Sequence, residues 1–152
     1  MISVSISRNA PKLASFKQTR ALVETILPQI GIIDEVEVSI TIKNDAALAK
    51  LNKQYRGIPE PTDVLSFPGE FTDPETGRRY LGDIVISYER ITAQAEEHLV
   101  TPDCEYKLLL THGLLHLAGH DHGTTVEKRK MRKAQTAILK QLGCEFAEEV
   151  IL

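Results

Sequence analysis

The sequence predicts an α+β domain in which helices cover one face of a small mixed β-sheet of about four strands. Three observations predict this class. Strand patterns come first along the chain and helical patterns dominate later, with a mixture between them. The two kinds of segment have clear apolar periods of two and of three to four residues. A leucine-rich stretch, residues 108–117, is apolar nearly all round, which is typical of a central buried helix. At 152 residues the chain has the size of one domain, so we expect residues 1–152 to form a single domain.

Four segments have strand patterns. Apolar and polar residues alternate in Ile2–Ile6 and in Val36–Ile42, as they do in half-buried strands. Val64–Phe67 is a short apolar run, and Leu81–Ser87 is a further strand. Because the segment between these last two is rich in glycine, charge and turn residues, we expect a hairpin with a mobile surface loop.

Five segments have helical patterns, and most carry a start or stop signal. The third of them is Tyr88–Leu99, with its apolar residues at helical spacing. The signals are Pro11 before the first helix and Pro28 and Gly31 at its end, Asn44 before the second, Thr101 and Pro102 before the fourth, and Thr124, Glu127 and Gly143 around the fifth.

The composition restricts the classes of partner. A formal net charge of −3 gives no overall attraction for nucleic acid, so a polyanion would have to bind a local cationic patch. Arg56, Arg78–Arg79 and the run Lys128–Lys133 are candidates, although the last is more typical of a solvated helix face. We expect no membrane span, since no apolar run is long enough. Cys104 and Cys144 lack disulfide-framework spacing and no signal pattern begins the chain, so we expect no disulfide and a reducing, cytoplasmic location.

The segment THGLLHLAGHDH, residues 111–122, holds four of the five histidines of the chain. His112 and His116 are four residues apart, so they lie on the same face of a helix. Gly119 allows the chain to leave the helix, so that His122 can supply a third nitrogen. Three protein ligands leave one position of a tetrahedral zinc site open, as in catalytic sites. We therefore predict a catalytic metal site.

The same histidine spacing occurs in metzincin proteases. In those enzymes a glutamate follows the first histidine and acts as the general base. Gly113 occupies that position here. Without the carboxylate, peptide hydrolysis by that mechanism has no proton acceptor, so the pattern disfavours a protease.

Three motifs, YRGIPEPTDVLSFP (residues 55–68), LGDIVIS (81–87) and HGLLHLAGHDH (112–122), closely resemble the YbeY family of bacterial metal-dependent endoribonucleases involved in ribosomal RNA maturation. The resemblance covers nearly the whole chain. It implies an α+β fold and one bound zinc-type ion, with other divalent transition metals possible. It also implies that Arg56 faces the metal cleft.

By the same resemblance the metal ligands are His112, His116 and His122. This chain departs from the family at His120, where the family usually has tyrosine, so His120 is an alternative third ligand. We keep His122, because the family pattern and the metzincin-type spacing agree on it. Asp121 could orient a ligand imidazole or could be a turn residue, and Asp63 has the same two interpretations.

Several other polar and aromatic residues have two interpretations. Arg56 could bind two phosphate oxygens or simply end a helix at its favourable dipole end. The position of Glu105 in the first turn of its helix favours an interaction with the helix dipole over a role near the metal. We expect His98 to be an ordinary exposed histidine. Aromatic rings at positions 55, 67 and 80 could stack on unpaired bases, although the ring at 67 favours the core.

The leading hypothesis is a hydrolase: a cytoplasmic, single-strand-specific endoribonuclease acting in small-subunit ribosomal RNA 3′ end processing and ribosome quality control. Its partners would be single-stranded or precursor ribosomal RNA and the small ribosomal subunit. Protein partners cannot be inferred from the sequence. The alternative is a metal-stabilised ribosome-assembly binding factor without nuclease activity. The open metal position favours the enzyme.

Overall fold

The computed structural model describes residues 2–6, 13, 15–69 and 71–151. In these ranges four strands and five helices follow one another along the chain. They are β1 (Ile2–Ile6), α1 (Phe16–Gln29), β2 (Val36–Lys43), α2 (Asp45–Arg56), β3 (Val64–Pro68), β4 (Arg79–Ser87), α3 (Tyr88–His98), α4 (Pro102–Leu117) and α5 (Thr125–Gln141). The predicted α+β class, with a mixed sheet and a central buried helix, is confirmed.

The strands form one sheet in the order β1-β2-β4-β3. The pairs β1–β2 and β2–β4 are parallel, whereas β3 and β4 pair antiparallel and form the predicted hairpin. The strand β3 therefore lies at an edge of the sheet. The parallel strands require helical crossovers, and α1 and α2 are the helices that follow β1 and β2.

The helix α4 packs against this sheet, and its apolar residues supply much of the core. Leu110 and Leu114 are fully buried in one cluster with Ile84 of β4. Gly113 lies so close to the sheet that a Cβ atom there would come within 3.0 Å of a methyl group of Ile84. The missing side chain thus lets α4 approach β4, which fixes the height of the histidine helix above the sheet.

The first helix differs from the prediction at its C-terminal end. Pro28 does not end α1 but lies in its last turn, and the helix continues to Gln29. Proline at this point costs one backbone hydrogen bond, which the burial of Ile26 and Leu27 offsets. The helix begins after Ser15, whose side chain caps it, while Pro11 lies outside the described residues.

Cys104 and Cys144 form a disulfide with a Cα–Cα distance of 5.7 Å. The expectation of no disulfide was therefore wrong, and the redox argument for a cytoplasmic location fails with it. The two cysteines are 40 positions apart in the sequence, and the segment between them includes α5. This helix packs back on α4 and brings the chain after it to the first turn of α4. No helix among the described residues is long and apolar enough to cross a membrane.

Candidate metal centre

Three histidines converge at the C-terminal end of α4. One nitrogen from each of His112, His116 and His122 lies within 4.8 Å of the others. The Nε2 atoms of His112 and His116 are 3.1 Å apart. Ligand nitrogens of a tetrahedral zinc ion are about 3.4 Å apart, from Zn–N distances of about 2.05 Å. The three imidazoles therefore fit a single ion of this kind.

The chain reversal after α4 places the third histidine. The helix ends at Leu117, and Gly119 follows with a φ of 97°, which favours glycine. The backbone N–H of His120 donates to Leu115 at 2.9 Å, and the N–H of His122 donates to the Asp121 carboxylate at 2.7 Å. His120 itself is half-buried and lies outside the three-histidine group.

The protonation of His112 and His116 suits metal binding. Burial lowers the pKa of His112. Burial, and then the proximity of His112 and His122, lowers the pKa of His116 to about 4. Both rings are therefore neutral near pH 7 and have a lone pair to offer, which metal coordination requires.

Gln135 of α5 orients the first of these rings. Its Oε1 lies 3.0 Å from Nδ1 of His112, and its side chain is fully buried. Because an amide oxygen can only accept, Nδ1 carries the proton and the lone pair of Nε2 faces His116. Sequence reasoning missed Gln135. The signal was present, since a glutamine stands between Met131 and Ile138 on the apolar face of α5.

The histidines open onto a cleft with a volume of about 620 Å³. The end of α2, the loop before β3 and the whole of β3 form its walls, and Arg56, Asp63 and Asp121 line it. The Ser66 hydroxyl donates to the carbonyl of Gly113 at 3.3 Å, which joins the edge strand to the histidine helix. Of the site residues predicted from sequence, Arg56, Asp63, Asp121 and the three histidines thus lie around one cavity, whereas His120 does not line it.

Arg56 is the last residue of α2, and its exposed guanidinium points into solvent at the cleft. Gly57 ends the helix with a φ of 73°. None of the described residues forms an ion pair with Arg56, whereas Arg78 pairs with Glu35 at 3.3 Å and Arg79 with Asp34 at 3.2 Å. Of the cationic candidates proposed from sequence, Arg56 is the one that lines the histidine cleft.

The two aspartates bind backbone or amide groups of the walls. Asp63 accepts from its neighbour Val64 N–H at 2.8 Å through Oδ1 and from the Gln94 amide at 3.2 Å through Oδ2. Asp121 accepts from the backbone of His122 and not from an imidazole ring. Both carboxylates therefore hold the loops that flank the histidines.

A second cavity of about 320 Å³ lies behind His112, on the side of Gln135 and Asp63. Glu105 is fully buried there, with Oε2 at 2.7 Å from Nδ1 of His98. Burial raises the pKa of Glu105, and the hydrogen bond from His98 opposes this effect. The expectation of an exposed His98 was wrong, and Glu105 points inward from the first turn of α4.

Exposed basic residues follow the histidine loop on α5. Lys128, Arg129, Lys130 and Lys133 are exposed on the helix that begins three residues after His122. No ion pair with these four side chains forms within the described ranges. These four side chains therefore keep their positive charge exposed on the helix that follows the histidine loop.

Comparison with known proteins identifies the family. The family model described as Endoribonuclease YbeY matches residues 4–143. The chain belongs to the endoribonuclease YbeY family. The resemblance inferred from the three sequence motifs is therefore confirmed.

Relatives and a solved structure agree with this family membership. A Roseiflexus sp. (strain RS-1) protein named endoribonuclease YbeY is 43% identical over 132 residues, which are 83% of this chain and 82% of the relative. A Sulfurihydrogenibium sp. protein of the same name is 42% identical over 133 residues, 86% and 85% of the two chains. The solution structure of TM1509 from Thermotoga maritima superposes with a TM-score of 0.58 at 25% identity and covers 94% of this chain and 92% of that one.

Proposed function

We propose that this protein is an endoribonuclease that cleaves single-stranded RNA and that His112, His116 and His122 hold its catalytic divalent ion. The observation that carries this proposal is the convergence of three imidazole nitrogens within 4.8 Å at a cleft that also contains Arg56, which forms no ion pair with any residue that the structure describes. Membership of the endoribonuclease YbeY family supports it.

The donor set fits a zinc-type ion. Three imidazoles suit zinc and several other divalent transition metals, and we propose zinc as the ion. When bound with one position open, such an ion polarises a phosphoryl oxygen and lowers the pKa of a water molecule. The Gln135 amide holds His112 in the tautomer that presents Nε2 to that ion.

Arg56 is the residue we assign to the scissile phosphate. Its planar guanidinium can donate two hydrogen bonds to phosphate oxygens and offset the negative charge of the transition state. The Asn52 amide donates to the carbonyl of Glu60 at 2.9 Å, which fixes the loop after α2 against the helix. The guanidinium is thus carried by a rigid helix end and has no competing carboxylate among the described residues.

Ribosomal RNA is the substrate that we propose, at the 3′ end of the small-subunit RNA, with the small ribosomal subunit as partner in the cytoplasm. The family resemblance of the three motifs supports this proposal. The charge distribution agrees with it, because a chain of net charge −3 must hold RNA through local cations such as Arg56 and the exposed basic residues of α5.

Cleavage of an end-labelled single-stranded RNA by the metal-loaded protein tests the function. Arg56→Ala should lower kcat/KM by about 100-fold or more while metal content and folding stay unchanged. Arg20→Ala, at an exposed arginine of α1, is the matched control and should cleave like the wild type. If the metal-replete wild type cuts neither free RNA nor precursor subunits, the protein is not a nuclease and the binding-factor alternative replaces this proposal.

Metal content of two histidine variants tests the ligand set. His122→Ala should lose the ion and His120→Ala should retain it, because only His122 lies with the other two rings. Elemental analysis of the purified variants measures this directly. Retention by His122→Ala together with loss by His120→Ala would make His120 the third ligand.

A further inference from the structure

An aromatic pair, of which Tyr55 is exposed and Phe67 is half-buried, forms part of the wall of the histidine cleft. Tyr55 and Phe67 both line the cleft, with their ring centroids 5.1 Å apart and their planes inclined by 55°. Tyr55 is 62% exposed, so one face of its ring is open to solvent. The phenol hydroxyl has no hydrogen-bond partner among the described residues. Packing of the core therefore uses little of this side chain.

Both rings stand on rigid elements. Phe67 belongs to β3, where it pairs with Asp83 of β4, and its side chain packs partly against a small apolar cluster around Leu65. Tyr55 lies in the last turn of α2, which the Asn52 bond to the following loop stabilises. The two rings together form an aromatic platform. Because both lie on regular elements, they need little reordering when a flat ligand binds, so less conformational entropy is lost.

The platform is adjacent to the proposed phosphate site. Tyr55 and Arg56 are consecutive residues, with Cα atoms about 3.8 Å apart, and both side chains reach the same cleft. A flat apolar face beside an exposed arginine matches the two parts of a nucleotide, the base and the phosphate. A base in a duplex is already stacked on both sides, so such a platform selects an unpaired one.

The other aromatic pair of the region does not share these properties. Phe71 and Tyr80 stack with centroids 5.0 Å apart and an interplanar angle of 11°, but neither ring lines the cleft. The Tyr80 hydroxyl is also bonded to Asp83. Phe71 is 59% exposed and therefore provides a control matched to Tyr55 in chemistry and exposure.

We propose that Tyr55, supported by Phe67, is a base-stacking subsite for an unpaired nucleobase next to the phosphate that Arg56 binds. This subsite rests on the proposed ribonuclease function and gives it a physical basis for preferring single strands. Stacking on an aromatic ring has little sequence dependence, because every base has a π face. The subsite therefore favours single-stranded over double-stranded RNA and does not distinguish one base sequence from another.

Binding of a short single-stranded RNA that carries 2-aminopurine tests the subsite without requiring cleavage. The 152-residue chain is titrated with this RNA in EDTA, and quenching of the 2-aminopurine fluorescence reports stacking. A ribose–phosphate oligomer of the same length without bases serves as the second probe. Tyr55→Leu should weaken binding of the RNA roughly 5- to 100-fold and abolish the quenching. It should leave the affinity for the base-free oligomer unchanged, and Tyr55→Phe should bind RNA like the wild type.

The outcomes separate this inference from the proposed function. If Tyr55→Leu binds both probes as the wild type does while the wild type cleaves RNA, the subsite is wrong and the nuclease stands. Equal losses for Tyr55→Leu and Phe71→Leu, or an equal loss on the base-free oligomer, would also overturn the subsite. If the metal-loaded wild type never cuts RNA but Tyr55-dependent quenching persists, the subsite stands in a protein that only binds RNA.

Discussion

Replacing Gln135 by methionine should weaken metal binding without a matching loss of stability. The substitution removes the acceptor at 3.0 Å from Nδ1 of His112. Loss of such a partner typically costs 10- to 100-fold in metal affinity, or about 1.4–2.7 kcal/mol. In the metal-free protein, a second effect of the substitution offsets the loss of this hydrogen bond. The Nε2 atom of Gln135 is buried and has no hydrogen-bond partner within the described part of the chain, and methionine removes this atom.

The stability of the metal-free variant follows from counting unsatisfied groups. The wild type buries one unpaired amide nitrogen, and the variant leaves the Nδ1–H of His112 unpaired instead. Each such group costs about 1–3 kcal/mol, so the two effects nearly cancel. We expect the free energy of unfolding to remain within about 1 kcal/mol of the wild type.

Two measurements check this prediction. Competition with a chromophoric zinc chelator gives the metal Kd, and urea unfolding in EDTA gives the stability. Gln141→Met, at an exposed glutamine in the last turn of the same helix, should change neither quantity. Gln135→Glu keeps an acceptor and should bind metal at least as well as the wild type. A Kd for Gln135→Met within twofold of the wild-type value would refute the orienting role.

Two further predictions concern stability. Burial raises the pKa of Glu105 above its ordinary value of 4.5, so the folded protein holds that proton more tightly than the unfolded chain. The contribution of Glu105 to the free energy of unfolding is therefore fully present below pH 4.5 and is lost as the pH rises through the pKa of the folded state. Glu105→Gln should remove this loss in urea unfolding between pH 4 and pH 8, and an unchanged pH profile would contradict it. Gly82→Ala should cost about 3 kcal/mol or more, because φ is 144° and the new Cβ would lie 2.3 Å from the carbonyl oxygen of Phe67. A loss below about 1 kcal/mol on chemical denaturation would show that the strands separate easily.

The fold was predictable where local chemistry decides it. Alternation in Val36–Lys43 and the caps Asn44, Thr101 and Thr124 all correspond to observed elements. The end of α1 was not predictable from Pro28, because the tertiary burial of the preceding turn outweighs one missing hydrogen bond. The disulfide depends on how α5 docks on α4, which no spacing along the chain reveals.

In the candidate site too, the features set by local sequence were predictable and those set by tertiary packing were not. Helical spacing places His112 and His116 on one face of α4. Gly119 indicates that the chain reverses after the helix, which brings His122 back to the other two histidines. Contacts between distant helices were not predictable, since periodicity identifies a buried face and not its partner. The bond from Gln135 to His112 spans 23 residues. The buried pairing of Glu105 with His98 likewise depends on how α3 and α4 cross.

The glycine after the first histidine explains why this site differs from a protease with the same spacing. A Cβ at Gly113 would lie 3.0 Å from Cγ2 of Ile84 and 3.2 Å from Oγ of Ser66. The larger glutamate of the proteases cannot occupy that position while α4 packs this closely on the sheet. The helix therefore offers imidazoles but no carboxylate base, and the other charged groups of the cleft are Asp121 from the loop after it and Asp63 and Arg56 from the elements that face it. Both carboxylates accept from backbone or amide groups, whereas Arg56 has no ion pair among the described residues. A cation is suited to a phosphodiester, whose charge is negative throughout the reaction.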